Sequence, residues 1–268
     1  MSGLTVSRLF VYPIKSLGGT ELGAAEVEAR GFRHDRRWML VDGDGAFLSQ
    51  RRHPRMALAR ARVEDDRLVV HAPGMPALGL PLRPEPGPVV RACVWGDEVE
   101  AVSCGGDADL WFAEFLGASC RLVHMPDETE RAVDPLYAGA ADRVGFADSF
   151  PFLLLSEASL DDLNARLDSP LPVNRFRPNI VVAGCVPYEE DRWRRVRVGG
   201  VGFRVVKPCS RCAITNVDQE TGEKGKEPLR TLASYRKVGD KVFFGHNAIP
   251  DGSGRLCVSD AVEVVSQI

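Results

Sequence analysis

The chain has 268 residues and the composition of an ordinary globular protein. Hydrophobic residues make up 44% and charged residues 26% of it, which excludes a disordered or collagen-like chain. The formal net charge is −3, so a general nucleic-acid-binding protein, which is normally basic, is not expected. No stretch approaches the roughly 18 apolar residues of a membrane helix, and the N-terminus lacks the apolar region of a secretory signal. We therefore predict a cytoplasmic protein that does not act at a membrane.

The first third of the chain is rich in short strand signals. Strands are predicted at 4–12, 67–71 and 99–102, and residues 38–48 predict a hairpin around a glycine-containing turn. A helix is predicted over 107–117, where apolar residues recur at helical spacing and a glycine ends the pattern. Short strands separated by frequent Pro and Gly are typical of a barrel or a sandwich.

The second half of the chain mixes helices and strands. Residues 156–167 predict a helix, in which Ser159 and Asp162 fit a capping box. Residues 196–205 predict a hairpin with a glycine turn, and a short helix is predicted over 228–235, with proline in its first turn. Further strands are predicted at 180–182, 242–244 and 262–265.

A polar, irregular stretch separates the two halves. Residues 125–142 contain two prolines and show no regular apolar pattern, so we interpret them as a linker or a covering loop. We predict two domains, residues 1–124 and 125–268. The fold class predicted from the elements is α+β, predominantly β.

Cys209 and Cys212 are the most informative pair. The chain has seven cysteines, an odd number that argues for free thiols. Two cysteines three positions apart are compatible with zinc, with a redox pair or with one thiolate on another metal. The sequence lacks the second close pair of a structural zinc site, the following helix of a thioredoxin motif and the clustered cysteines of an iron–sulfur site. Two interpretations remain: one thiolate that binds a metal whose other ligands come from a cofactor, or a buried pair of free thiols.

Basic residues at predicted strand ends form a second signal. Lys15 and Ser16 precede two glycines, an arrangement that can hold a phosphate. Arg36 lies in a basic segment, and Arg177 lies just before a predicted buried strand, where an arginine usually has a carboxylate or phosphate partner. Each residue taken alone is also compatible with an ordinary solvated or ion-paired side chain.

Taken together, these segments resemble the MOSC family of molybdenum-cofactor proteins. Within that family they are most similar to the amidoxime-reducing components of mitochondria and to their bacterial relatives. The resemblance covers nearly the whole chain, and several long motifs in the same order make it specific. The motifs are VYPIKS (11–16), DRRW (35–38), PFLLLSEASL (151–160), FRPNIV (176–181), CSRC (209–212), EPLRTL (227–232) and YR (235–236).

The resemblance implies an N-terminal β-barrel-like domain followed by a MOSC β-barrel with a few peripheral helices. It also implies a molybdenum cofactor, molybdopterin, whose metal is bound by Cys212 as the catalytic residue. Lys15, Ser16 and Arg36 would hold the phosphate end of the cofactor. Further cofactor-binding residues implied by the resemblance are Ser149, Phe150, Arg177, Asn179, Ser210, Arg211 and Asn247.

The activity that the resemblance implies is reduction of small N-hydroxylated compounds, such as amidoximes, hydroxylamines and hydroxylamino bases. Some bacterial relatives carry a fused iron–sulfur module, but this sequence has no plant-type cysteine spacing. We therefore expect electrons from a separate donor, a ferredoxin, a cytochrome or a flavoprotein. Glu189, Glu190 and Asp191 form an acidic run that is either a solvated loop or a source of a proton or of a contact to a cationic substrate.

Two alternatives to this reductase stay open. MOSC domains also occur in cofactor sulfurases, so the chain could carry molybdenum cofactor or sulfur without turnover. It could also be a β-rich protein with an inert thiol pair.

Overall fold

The computed structural model describes residues 3–85 and 87–268. Short strands dominate it, as the frequent turn residues predict, and three α-helices lie among the described residues. The prediction of an α+β, predominantly β fold is confirmed. The helices are α1 (Gly106–Leu116), α2 (Glu157–Asn164) and α3 (Leu229–Ala233). The strands are β1 (Thr5–Val11), β2 (Thr20–Leu22), β3 (Ala24–Glu28), β4 (Gly31–Phe32), β5 (Trp38–Val41), β6 (Arg60–Glu64), β7 (Arg67–His71), β8 (Leu78–Pro81), β9 (Val89–Val94), β10 (Asp97–Ser103), β11 (Arg121–His124), β12 (Phe152–Ser156), β13 (Ile180–Ala183), β14 (Trp193–Val198), β15 (Val201–Ser210), β16 (Lys237–Val238), β17 (Lys241–Pro250), β18 (Gly254–Cys257) and β19 (Val262–Gln267).

The largest sheet joins the two ends of the chain. Its strand order is β19-β14-β15-β17-β12-β13-β1-β2, with β16 paired to β17. β1 runs antiparallel to β13, and β3 pairs with β18 in a smaller sheet. Strands of the first predicted domain are therefore hydrogen-bonded to strands of the second. The division at residues 124 and 125 stays a prediction.

The first part of the chain builds a second core around two smaller sheets. One has the order β5-β11-β10-β9 and the other β6-β7-β8, and α1 packs its aromatic residues into the core between them. The predicted hairpin over 38–48 forms, with Val41 paired to Phe47 and with the backbone N–H groups of Asp42 and Leu48 donating to the carbonyl oxygens of Ala46 and Leu40 at 2.9 and 2.8 Å. β5 also pairs with β11 along its whole length. The Asp42 carboxylate accepts hydrogen bonds from the backbone of Asp44 and Ala46, which closes the turn of this hairpin.

The helices follow the sequence prediction with shifted ends. α1 ends at Gly117, which has a φ of 65° that glycine adopts without strain. The capping prediction for α2 is wrong, since Ser156 is the N-cap and its hydroxyl accepts a 3.1 Å hydrogen bond from the backbone of Ser159. The Ser159 hydroxyl instead donates to the buried Glu190. Among the described residues, no helix has the length and apolar character needed to cross a membrane.

Candidate functional site

One cavity, of about 140 Å³, lies where the loops of the two halves meet. Its walls come from the loops after β1, β4 and β15, from the turn before β12 and from the segment before β13. All eleven residues proposed from the sequence line this cavity, although they are spread over more than 230 positions of the chain. The roles assigned to them stay predictions. They are Lys15, Ser16, Arg36, Ser149, Phe150, Arg177, Asn179, Ser210, Arg211, Cys212 and Asn247.

The two cysteines enter the cavity at the end of β15. Cys212 is fixed by its own carbonyl oxygen, which accepts hydrogen bonds from the backbone and the hydroxyl of Thr215 at 3.1 and 3.0 Å. Its sulfur lies 3.6 Å from Nη1 of Arg51. Cys209 accepts a 3.0 Å hydrogen bond from Nη1 of Arg211. Both are free thiols, and both are partly exposed in the cavity wall, so the interpretation of a buried pair does not describe them.

Positive charge is concentrated in this cavity. Five basic side chains line it, whereas Asp148 is the one carboxylate among the described lining residues. In the part of the chain that the structure describes, no carboxylate oxygen lies within 4.0 Å of the guanidinium groups of Arg51, Arg177 or Arg211. Three guanidinium groups without a carboxylate partner thus line the cavity that contains the sulfur of Cys212, although the net charge of the chain is −3. Such an arrangement favours an anionic ligand.

Tyr12 holds two of these cations in place. The guanidinium groups of Arg36 and Arg177 lie 4.2 and 4.4 Å from the centre of its ring. Arg177 also donates a 2.6 Å hydrogen bond to the carbonyl oxygen of Leu17. Burial lowers the pKa of Arg177 to about 10, because the charged form loses solvation without gaining a carboxylate partner. Burial likewise raises the pKa of Tyr12 to about 12.

Arg36 differs from Arg177 in having a buried acidic partner. Its Nη1 lies 2.5 Å from the carboxylate of Asp35 and 3.0 Å from the side-chain oxygen of Asn179. Asn179 in turn donates to the carbonyl oxygen of Phe10 on β1. The same residues that line the cavity therefore also tie β1 to the segment before β13.

Three lining residues have a strained backbone. Ser16, Arg36 and Arg177 have φ angles of 66°, 48° and 57°, in the left-handed region that residues with a Cβ rarely adopt. Each such residue costs on the order of 1–3 kcal/mol and persists only where the surroundings enforce it. Strain of this kind clusters at functional sites, and here it occurs in residues from both halves of the chain.

The wall that carries Ser149 is held by Lys15 and Arg131. Lys15 is buried and donates to the carbonyl oxygen of Phe146 at 2.7 Å and to the carboxylate of Asp148. Burial lowers the pKa of Lys15, although Asp148 opposes this effect. Arg131 donates to the carbonyl oxygens of Gly145, Ala147 and Asp148 at 2.6–3.0 Å. The loop from 145 to 149 is therefore a fixed wall, and the Lys15 ammonium is already engaged by it.

Two family models match the chain. The MOSC N-terminal beta barrel domain matches residues 3–119, and the MOSC domain matches residues 141–263. The chain is 38% identical to the mouse protein "Mitochondrial amidoxime-reducing component 1" over 282 aligned positions, which cover 98% of the chain and 83% of that protein. The chain belongs to the MOSC-domain family that includes the mitochondrial amidoxime-reducing components. The β-barrel-like N-terminal domain expected from the sequence is confirmed by the first match.

Other MOSC-domain relatives carry two different names. The bovine "Mitochondrial amidoxime reducing component 2" is 40% identical, with 87% of this chain and 72% of that protein aligned. The "Molybdenum cofactor sulfurase" of Oryza sativa subsp. japonica is 32% identical over all of this chain, which covers 36% of that longer protein.

The donor set of the cavity fits the molybdenum cofactor that other MOSC-domain proteins are named for. A phosphate-bearing group needs converging N–H donors, and Nε of Arg211 is buried without a hydrogen-bond partner among the described residues. A metal already held by pterin sulfurs needs a soft protein ligand, and the thiol of Cys212 lies in the same wall. The residues present therefore suit both ends of such a group.

Among the lining residues that sequence reasoning missed, Phe47, Arg51 and Asp148 are the ones used in the arguments below. Arg51 lies in a run of basic residues that reads as a solvated surface, and only the fold brings it to Cys212. Asp148 directly precedes Ser149, so its position could have been inferred from its neighbour.

The acidic run lies outside the cavity. Glu190 accepts hydrogen bonds from the hydroxyl groups of Ser156 and Ser159, and thereby supports the start of α2. Asp191 accepts from Arg236 and His246, and Glu189 accepts from a neighbouring backbone N–H group. None of the three lines the cavity, so the suggestion that one of them supplies a proton or a substrate contact there finds no support.

Proposed function

We propose that this protein is a molybdenum-cofactor-dependent reductase of N-hydroxylated compounds that takes its electrons from a separate redox protein. The observation that carries the proposal is the sulfur of Cys212 in a cavity surrounded by five cations. Relatives named amidoxime-reducing components support the reaction class. The cytoplasmic location stays a prediction, since those relatives are named mitochondrial.

The overall reaction consumes two electrons and two protons. With them, an N-hydroxyl compound R–NHOH is converted into R–NH₂ and water, and the N–O bond is cleaved. When bound, the cofactor supplies the two-electron metal centre for this oxygen transfer. The electrons would come from a ferredoxin, a cytochrome or a flavoprotein.

The side chains of this protein bind and orient the cofactor in this proposal. Arg177 and Arg211 have unneutralised guanidinium groups and would hold the phosphate, with Arg36 beside them. Ser16, Ser149 and Ser210 would add hydroxyl donors, and Phe150, Asn179 and Asn247 would complete the wall, while Lys15 stays paired with Asp148. Cys212 would be the metal ligand, because a thiolate is a soft donor and its carbonyl anchor fixes its position.

The decisive experiment compares two cysteine variants of the protein made in a host that produces the cofactor. Cys212→Ser should lose molybdenum and the reduction of a model amidoxime with an artificial electron donor, because a hydroxyl is a poor ligand at a soft position. Cys209→Ser is the matched control, since its sulfur is already engaged by Arg211, and it should keep most of both. Equal losses of molybdenum and of activity in the two variants would contradict the assignment of Cys212 as the metal ligand.

A cofactor or sulfur carrier is the second candidate, favoured by the similarity of the whole chain to one part of a cofactor sulfurase. The two functions differ in turnover. A carrier retains molybdenum cofactor yet reduces none of a panel of amidoximes, N-hydroxyguanidines and hydroxylamines, whereas a reductase turns over at least one of them.

A further inference from the structure

A second depression adjoins the cofactor cavity, and we call it the Trp95 groove. It shares two residues with the cavity, so the wall that closes one side of the cavity also forms one side of the groove. The residues used below are Trp95, Asp97, Arg131, Asp134, Asp148 and Ser149.

Trp95 lies in the groove in an unusual setting. It is 55% exposed, whereas Trp38, Trp111 and Trp193 are buried. It forms the two-residue turn between β9 and β10 with a glycine, and its φ of 59° is a strained value for a bulky residue. Gly, Asn and Asp are the residues preferred at such a position, so the contacts of the indole offset a conformational cost.

Trp95 is also connected to the sulfur at the centre of the cavity. The guanidinium of Arg51 lies 4.6 Å from the centre of the Trp95 ring and 3.6 Å from the sulfur of Cys212. Phe47 meets the indole edge-on, at 5.3 Å between ring centres. The indole is therefore held in place one side chain away from Cys212, while more than half of the residue stays open to solvent.

The sign of the charge reverses between the cavity and the groove. The described lining of the groove contains the carboxylates of Asp97, Asp134 and Asp148 and a single cation, Arg131. Arg131 and Lys15 offset two of these carboxylates, whereas Asp134 accepts only a backbone hydrogen bond. An anionic cofactor thus suits the cavity, and a cation suits the groove.

We propose that the Trp95 groove is the substrate-entry subsite, and that it selects planar N-hydroxylated compounds whose reduced form is a cation, such as aryl amidoximes and N-hydroxyguanidines. This inference rests on the proposed function. The open face of Trp95 stacks the planar group. Reduction converts a neutral amidoxime into water and an amidine, which takes up a further proton from solvent and becomes an amidinium cation. The indole and the carboxylates attract this cation, and the cations of the cavity repel it.

Binding of a product analogue tests the subsite without any turnover. Benzamidinium is titrated calorimetrically into the wild-type protein and into two variants. Trp95→Phe keeps an aromatic face and should bind within about threefold of wild type. Trp95→Gly should bind at least tenfold more weakly; its Tm is measured alongside, because glycine takes the positive φ without strain but the contacts to Phe47 and Arg51 are lost. Leu110→Ala, which shortens an exposed apolar side chain on α1, should bind like wild type.

Kinetics separate this inference from the proposed function. Trp95→Gly should raise KM for an aryl amidoxime about tenfold relative to its KM for unsubstituted hydroxylamine, with both rates expressed per bound molybdenum because Trp95 also contacts Arg51. Absence of benzamidinium binding to wild type, or equal binding by wild type and Trp95→Gly, would overturn the subsite. Binding that depends on Trp95 in a cofactor-loaded protein that reduces none of these compounds would leave the subsite standing and refute the reductase.

Discussion

The Nη1 atom of Arg51 lies 3.6 Å from the sulfur of Cys212, although the two residues are 161 positions apart in the chain. The Arg51 guanidinium also lies 4.6 Å from the centre of the Trp95 ring. No carboxylate oxygen lies within 4.0 Å of Arg51 among the described residues, and its guanidinium is held between the Trp95 ring and the sulfur. We therefore expect Arg51 to position the proposed metal ligand.

Removal of the Arg51 guanidinium should weaken retention of the cofactor. Arg51→Ala loses a charge-assisted contact to sulfur, and we expect molybdenum per protein after dialysis to fall roughly five- to tenfold. Arg51→Lys should show an intermediate loss, because it keeps the charge without the planar group. The control is Arg52→Ala, which removes an exposed arginine next in the chain. Equal molybdenum contents in the Arg51 and Arg52 variants would contradict the positioning role.

Anion binding can be measured on protein that lacks the cofactor. Inorganic pyrophosphate should raise Tm of the wild type, because a ligand that binds only the folded state stabilises it by about 2.7 kcal/mol at 100 times its Kd. At about 2–4 °C per kcal/mol for a chain of this size, the shift is easily detected. Arg177→Ala should lose most of the shift, since it removes an unneutralised cation from the cavity. An undiminished shift in that variant would show that the anion binds elsewhere.

Arg36→Ala should behave differently from Arg177→Ala. Arg36 neutralises the buried carboxylate of Asp35, and removing one partner of a buried pair typically costs 3–5 kcal/mol. We therefore expect a lower free energy of unfolding in denaturant for Arg36→Ala, with pyrophosphate binding also reduced. Arg36→Ala combined with Asp35→Asn should regain part of the stability but not the anion binding. Full stability of the single variant would mean that the pair contributes nothing to folding.

Local sequence signals anticipated most elements of the fold but not all of their partners. The glycine after α1 predicts a helix end, and the apolar stretch of β13 predicts a buried strand. Both signals are local and do not depend on which elements pack against them. The hairpin over 38–48 forms, but nothing local could show that β5 also pairs with β11, which lies about 80 positions away. The capping box failed because α2 begins at Glu157, before Ser159, whose hydroxyl instead accepts from the backbone of Tyr188 and donates to Glu190.

The candidate site was found through short sequence motifs. These motifs identify its residues without showing how the residues meet in the fold. Arg177 and Cys212 were recognised within FRPNIV and CSRC, and the fold then brings both segments to one cavity. Arg51 and Trp95 have no comparable signature, since neither a basic run nor a tryptophan before a glycine is a recognised motif. Their relation to Cys212 exists only after β5, β9 and β15 have come together.

Asp191 provides a prediction about acid stability. Burial alone would raise its pKa, but hydrogen bonds from His246 and Arg236 hold it down at about 2. A carboxyl whose folded pKa lies below the unfolded value of 3.8 contributes stability above about pH 4, and this contribution is lost as the pH falls toward 2. We expect it to amount to about 1–2 kcal/mol, allowing for partial exposure. Asp191→Asn should therefore be less stable than wild type at pH 7 and should lose less stability between pH 4 and pH 2 in urea unfolding. Asp161→Asn, at an exposed position of α2, is the control, and an unchanged pH slope in Asp191→Asn would disprove the assignment.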